Sequence, residues 1–295
     1  MNDRRLTPAT PRVAHVSLRG KIASPCYVEG QSAIVVQPVV DLLPEPDVNF
    51  GRMDRQLLFG ESVTLLEDYK DYRFVMSEKD GYVGWVRARD VDDATPAKPT
   101  HVVCQRSTHL YTFPDMKQTR HVREFSLGSR FEVIGQTGSF ARISLRNQPD
   151  GGFVGLDGFD HRFVPMQHIR ALSAPEADPV AVAERLIGTP YLWGGNSAFG
   201  VDCSGLVQIA CQMCGVLCPG DSDLQQNHFP AAPNDLYYRG DLLFWQGHVA
   251  MVSDPETVLH ANAHHMAVAY EPLADAVARI ETQGGGQVVK HARLT

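Results

Sequence analysis

Asp202-Cys203-Ser204-Gly205 follows a glycine-rich approach, Gly194-Gly195-Asn196-Ser197-Ala198-Phe199-Gly200-Val201, and precedes the apolar run Leu206-Val207-Gln208-Ile209-Ala210-Cys211-Gln212-Met213. The pattern places one cysteine where a helix begins. Unpaired N–H groups and the positive end of the helix dipole favour a thiolate there. A packing cysteine is the plainer reading of an arbitrary thiol, but here two histidines stand downstream. His248 opens the apolar run Val249-Ala250-Met251-Val252, and His260 closes Val258-Leu259. If those runs are adjacent strands, both imidazoles can face the start of the cysteine helix. A nucleophile needs a base, and the base needs a group to orient it. The residues predict Cys203 as nucleophile, His248 as base and His260 as the orienting partner, with a thiolate–imidazolium pair at the first two. His260 also reads as an ordinary strand-end histidine, and His264 and His265 as solvated turn or rim residues.

The motifs around these residues resemble those of the NlpC-type cysteine peptidases of the bacterial cell wall. The likeness runs from about Asp178 to the C-terminus. It is carried by Gly188-Thr189-Pro190-Tyr191-Leu192-Trp193-Gly194-Gly195, Asp202-Cys203-Ser204-Gly205, Gly240-Asp241-Leu242, Gly247-His248-Val249 and Leu259-His260-Ala261. The resemblance implies a papain-like α+β fold and gives Cys203, His248 and His260 the three roles just named. It also implies that Tyr191 helps the Cys203 N–H hold the oxyanion, a residue that otherwise reads as a core aromatic.

Composition sets wider limits. The 295 residues are 43% hydrophobic and 21% charged, with a net charge of -7, which is ordinary for a globular protein of one to three domains. An acidic chain without basic clusters argues against a nucleic-acid partner. No apolar run reaches the ~20 residues needed to span a bilayer, and Met1–Pro8 lacks the apolar core of a secretory signal. A cytoplasmic enzyme with no membrane partner is the expectation. The six cysteines are scattered (Cys26, Cys104, Cys203, Cys211, Cys214, Cys218), which suits free thiols. Cys211, Cys214 and Cys218 have no second ligand pair at zinc spacing, so neither a metal nor another cofactor is expected.

Ahead of the catalytic segment lies an internal repeat. Leu58–Leu66 aligns with Ser126–Ile134 at an offset of 68, as does Tyr72–Val75 with Phe140–Ile143; Trp85-Val86 meets Phe163-Val164 at 78. The difference implies a ten-residue insertion within Arg146–His161. Short alternating strands broken by Gly, Pro and Asp predict a small β-barrel for each copy. Both copies resemble bacterial SH3 modules. The expected layout is α+β and multidomain: an arm over 1–25, SH3-like barrels over 26–95 and 96–172, and the papain-like peptidase domain over 173–295. Linkers are expected at Ala94–Pro99 and Ser173–Ala177. In the last domain, Asp178 caps a helix with Val180, Val182, Ala183, Leu186 and Ile187 inward. Strands are expected at 241–245, 249–253, 258–261, 266–270 and 287–290, after the helices.

With tandem SH3 modules in front, the chain resembles γ-D-glutamyl-L-diamino-acid endopeptidases, which take peptides with a free N-terminal L-alanine. A buried ammonium must meet carboxylates and hydroxyls. The resemblance implies Asp202, Ser204, Asp221 and Ser222 for that purpose, with Glu61 and Tyr82 of the first module closing the amine pocket. Glu61 and Tyr82 read equally as a solvated turn residue and a barrel-surface residue. The chain has Pro219-Gly220-Asp221-Ser222 where the family carries Pro-Arg-Asp-Ser, so any anion contact of that arginine is lost. The implied partner is a wall-derived peptide met during recycling. A thiol acyltransferase and a non-catalytic wall-fragment-binding protein are the competing functions on this scaffold.

Overall fold

The computed structural model describes residues 3–47, 52–93, 98–119, 122–144 and 161–294. The fold is mixed and mostly strands, and it divides into two compact units, Met1–Ala174 and Pro175–Thr295. The break falls inside the Ser173–Ala177 linker. The expected boundary at 95/96 lies outside the described residues, as does nearly all of the expected insertion at 146–161. Both copies of the repeat fall in the first unit.

The repeat is written in the backbone hydrogen bonds. Val35 N–H donates to Glu61 O, and Gly60 N–H to Val35 O; Val103 and Ser129, and Gly128 and Val103, make the same bonds 68 residues later. Gly60 and Gly128 both have positive φ, 78° and 91°, a region that favours glycine. Leu43 and Trp85 exchange two bonds, as Tyr111 and Phe163 do. Two separate cores result. One gathers Val35, Val40, Leu57, Val63, Val75 and Val86; the other gathers Val103, Leu110, Phe125, Phe131, Ile143 and Val164 around Phe59. The first copy has a five-stranded sheet in the order Val83–Arg87, Tyr72–Ser77, Ser62–Tyr69, Gln31–Val35, Val91–Asp92. The arm is tied to this copy. Arg12 lies over the Tyr69 ring at 3.9 Å and pairs with Glu67, while Arg4 reaches Asp54 at 2.8 Å.

In the second unit Asp178 caps helix α1 (Pro179–Glu184), accepting from Val180 and Ala181 N–H. Asp caps and a Pro at the first turn favour a helix start. The helix is short, and Ile187, expected inward, is 39% exposed, because the chain turns after Glu184 toward Gly188. Helix α2 (Cys203–Met213) has its Cys203–Cys211 stretch wholly buried, so it is a core helix rather than an amphipathic one. Helix α3 spans Ser222–His228.

The sheet consists of β1 (Leu242–Trp245), β2 (His248–Asp254), β3 (Thr257–Asn262), β4 (Ala267–Pro272) and β5 (Lys290–Ala292), antiparallel in the order β4-β3-β2-β1-β5. Two sequence expectations need correction. The last strand was placed at 287–290, but pairing with β1 begins only at Lys290. A helix also interrupts the sheet: α4 (Leu273–Thr282) packs Leu273, Ala276 and Ile280 onto Leu243, Trp245, Ala250, Val252 and Val258. Its i, i+3, i+7 spacing is legible in the sequence. Asp241, of the Gly240-Asp241-Leu242 motif, locks the C-terminal strand in place. It accepts from Arg293 at 2.8 and 2.9 Å and from His291 at 2.7 Å.

Candidate active site

Cys203 is the first residue of α2 and is 7% exposed. The turn that delivers it is over-determined. A short hairpin pairs Asn196-Ser197 with Gly200-Val201, and Asp202 then caps the helix. Its Oδ1 accepts from Gly205 N–H at 2.6 Å and Ser204 Oγ at 2.9 Å, and its Oδ2 accepts from Gly194 N–H at 2.9 Å. A side chain at Gly205 would put its Cβ 2.3 Å from the Gly195 carbonyl oxygen, so the residue after Ser204 must be glycine. Buried amides brace the same turn from below. Gln225 of α3 donates to Ser204 O at 2.8 Å, and Gln208 donates to Cys218 O at 3.0 Å while accepting from Asn196 at 3.2 Å. Sequence reasoning missed these three amides; the signal was the set of polar residues within buried stretches.

Helix α2 packs against β2 and β3, the strands that carry His248 and His260. Gly247, with φ of 75°, closes the two-residue turn after β1 and so places His248 at the very start of β2. His248 Nε2 lies 2.9 Å from His260 Nδ1, and His260 Nε2 lies 2.9 Å from Glu271 Oε2 on β4. Arg279 of α4 grips both oxygens of that carboxylate, at 2.8 and 2.7 Å. The sequence reading stopped at His260. His260 and Ala269 are register partners, so Glu271 is a diagonal neighbour within reach of the ring.

The electrostatics follow from burial. Burial lowers His248 to about 3, with His260 and Arg279 acting in the same direction and Glu271 opposing. His260 is lowered by burial to about 4, against the attraction of Glu271. The hydrogen bond from Arg279 is the main reason Glu271 sits at about 2. Near neutral pH both imidazoles are therefore uncharged and Glu271 is ionised. Burial of His248 thus works against the expected thiolate–imidazolium pair in the resting state.

Tyr191 is half-buried, and its phenol is pushed up by burial and then by the nearby Cys203 and Asp202. The structure thus brings Tyr191, Asp202, Cys203 and Ser204 together at one helix start. Asp221 adopts φ of 26°, a strained value for a non-glycine residue, and Ser222 opens α3 beside it. Glu61 and Tyr82 belong to the first unit and are buried there. Lys79 donates to both Glu61 oxygens, at 2.8 and 2.9 Å, and Tyr82 lies in the first core. Glu61 is thus an internally paired carboxylate rather than a solvated one. His265 stands in the turn after β3, bonded to Asn262. Among the described residues His260, His265 and Glu271 have donor atoms within 4.8 Å of one another. Arg279 already occupies Glu271, however, and the 2.9 Å contact between His260 and Glu271 is tighter than the roughly 3.4 Å between ligands on a tetrahedral zinc. His260 and Glu271 form a hydrogen-bonded pair and His265 is bonded to Asn262, an arrangement unlike a metal centre.

Comparison with known proteins agrees with this geometry. The NlpC/P60 family model matches residues 188–283, and the bacterial dipeptidyl-peptidase SH3 domain matches residues 45–91. The chain is 28% identical over 241 residues to dipeptidyl-peptidase 6 of Lysinibacillus sphaericus, covering 78% of this chain and 88% of the relative. It is 27% identical over 247 residues to a gamma-D-glutamyl-L-lysine dipeptidyl-peptidase of Bacillus cereus, covering 76% and 72%. A crystal structure of an NlpC/P60 family protein from Bacillus cereus matches with a TM-score of 0.72 at 20% identity, over 90% of this chain and 99% of that one, a likeness of fold. A cysteine at the head of a buried helix, with two histidines on the strands that pack against it, thus lies in a segment that matches the NlpC/P60 family over residues 188–283, after a match to a bacterial SH3 domain over residues 45–91.

Proposed function

We propose that the protein hydrolyses the γ-D-glutamyl–L-diamino-acid amide bond of peptidoglycan peptides that carry a free N-terminal L-alanine. The observation that carries the chemistry is the 2.9 Å contact between His248 Nε2 and His260 Nδ1, which engages Nε2 and makes Nδ1 the nitrogen of His248 that can serve Cys203. In this reading Cys203 Sγ attacks the amide carbonyl as its proton passes to His248, and the Cys203 N–H and Tyr191 hydroxyl receive the oxyanion. The imidazolium then protonates the leaving amine, and water releases the acyl group by the reverse relay. On this reading the catalytic unit is a papain-like α+β domain and the first unit two SH3-like barrels.

The substrate class is supported by relatives named for γ-D-glutamyl-L-lysine cleavage that align across most of the chain. Asp202, Ser204, Asp221 and Ser222 serve as acceptors for the peptide's ammonium. The role extends to recycling of released wall peptides in the cytoplasm, a location that cell fractionation tests. The functional test is product analysis with L-Ala-γ-D-Glu-diaminopimelate. Release of L-Ala-γ-D-Glu supports the proposal. Thioester-dependent transfer to another acceptor, or binding without turnover, would favour the acyltransferase or the binding protein instead.

A further inference from the structure

We propose that Glu271, held by Arg279, is a positioning residue that sets the direction of the hydrogen-bond chain ending at the nucleophile; this rests on the Cys203–His248 pairing of the proposed function. Two imidazoles 2.9 Å apart can share a proton in either direction. If His260 Nδ1 carried it, His260 would donate to His248 Nε2. A neutral His248 would then hold its own proton on Nδ1 and could not accept one there. Nothing within the pair decides between these arrangements.

Glu271 decides it. An ionised carboxylate only accepts, so at 2.9 Å from His260 Nε2 it requires that nitrogen to donate. His260 is uncharged, so its Nδ1 is bare and accepts from His248 Nε2–H. His248 Nδ1 is then the free lone pair. When the Cys203 S–H bond breaks, its electron pair stays on sulfur and its proton goes to His248 Nδ1. The new imidazolium is stabilised through His260 by the Glu271 charge, while the protons on His260 Nε2 and His248 Nε2 stay where they are.

Arg279 has a different duty. Its Nε and Nη2 bond one carboxylate oxygen each. They keep Glu271 ionised, so the carboxyl does not take a proton and become a donor itself. The charged groups that bear on the pair are Glu271 of β4, Arg279 of α4 and His265 after β3, whose charge opposes protonation of His260. Of these only Glu271 favours a positive imidazole at both rings. The side chain thus completes a relay that crosses β2, β3 and β4 and ends on α4.

Iodoacetamide alkylation of Cys203 in the full chain, together with 15N NMR of labelled histidines, tests this without any peptide. A wrong substrate assignment therefore leaves the test intact. In the wild-type protein both His248 and His260 should carry their proton on Nε2 near neutral pH. Glu271→Gln should slow alkylation at pH 7 about tenfold or more, since a weakened base loses a good part of its effect. Glu271→Asp should recover part of that loss. Arg279→Gln removes the clamp that keeps Glu271 ionised, so it should slow alkylation only in part, with the rate recovering as rising pH ionises the carboxyl, whereas Glu271→Gln should show no such recovery. A merely structural ion pair would make Glu271→Gln and Arg279→Gln fail alike at every pH. That outcome, or a proton on His260 Nδ1 in the wild-type protein, overturns the proposal. The NMR result on the unmodified protein stands even if a variant misfolds. An alkylation rate indifferent to His248→Ala would instead overturn the nucleophile–base pairing itself.

Discussion

At the scale of single residues, nucleophile, base and orienting partner should be separable by their losses. Cys203→Ala removes the only atom that forms the acyl bond. Its kcat/KM should fall by at least about a thousandfold, with the thermal transition nearly unmoved. His248→Ala should cost nearly as much, and His260→Ala less, since that ring acts only through its neighbour. Steady-state kinetics on the three purified variants check this; a Cys203→Ala preparation within tenfold of wild type would contradict it. Cys203, His248 and His260 were legible in the sequence because each sits beside a glycine or at the end of an apolar run. Glu271 was not. It lies just past the residues that read as a strand, and its partners Arg279 and His260 are local only once β3 and β4 pair.

At the scale of elements, the nucleophile turn depends on one carboxylate. Asp202 answers three donors around the start of α2. Asp202→Ala leaves buried N–H groups at Gly194 and Gly205 without that partner and should destabilise the catalytic unit by about 2 kcal/mol or more. Urea unfolding measures this; a change below a few tenths of a kcal/mol would mean the cap is idle. The amine selection proposed for Asp202 must coexist with this capping duty. Most elements of the catalytic unit were legible, because β1 to β4 read as apolar runs punctuated by Gly247, Asp254-Pro255 and the His264-His265 turn. Helix α4 and the late start of β5 were not read. Gly284, Gly285 and Gly286 blur where a helix ends and a strand begins, and only pairing with Leu242–Phe244 fixes the register. In the first unit the 68-residue offset was plain because Gly60 and Gly128 sit at the same positive-φ bend.

At the scale of the whole molecule, acid should weaken the protein in a defined window. His248 and His260 have folded values of about 3 and 4, below the ~6.5 of an unfolded imidazole. The unfolded chain therefore binds more protons between those limits, and stability falls as pH drops from about 6.5 toward 3. Glu271, lowered to about 2, adds a loss of the same sign below about 4.5. Calorimetry of wild type and His260→Asn from pH 7.5 to 4.5 checks the sign: the variant should show the shallower decline, and equal slopes would contradict it. The central claim, a thiol peptidase selecting a free amine, is tested most directly by comparing L-Ala-γ-D-Glu-diaminopimelate with its N-acetyl derivative. A buried site that must satisfy an ammonium should favour the free peptide by a few kcal/mol, about a hundredfold or more in kcat/KM. L-Ala-γ-D-Glu released from the free tripeptide alone, and not by Cys203→Ala, is the predicted result. Comparable kcat/KM for the free and acetylated peptides on the wild-type enzyme would contradict it.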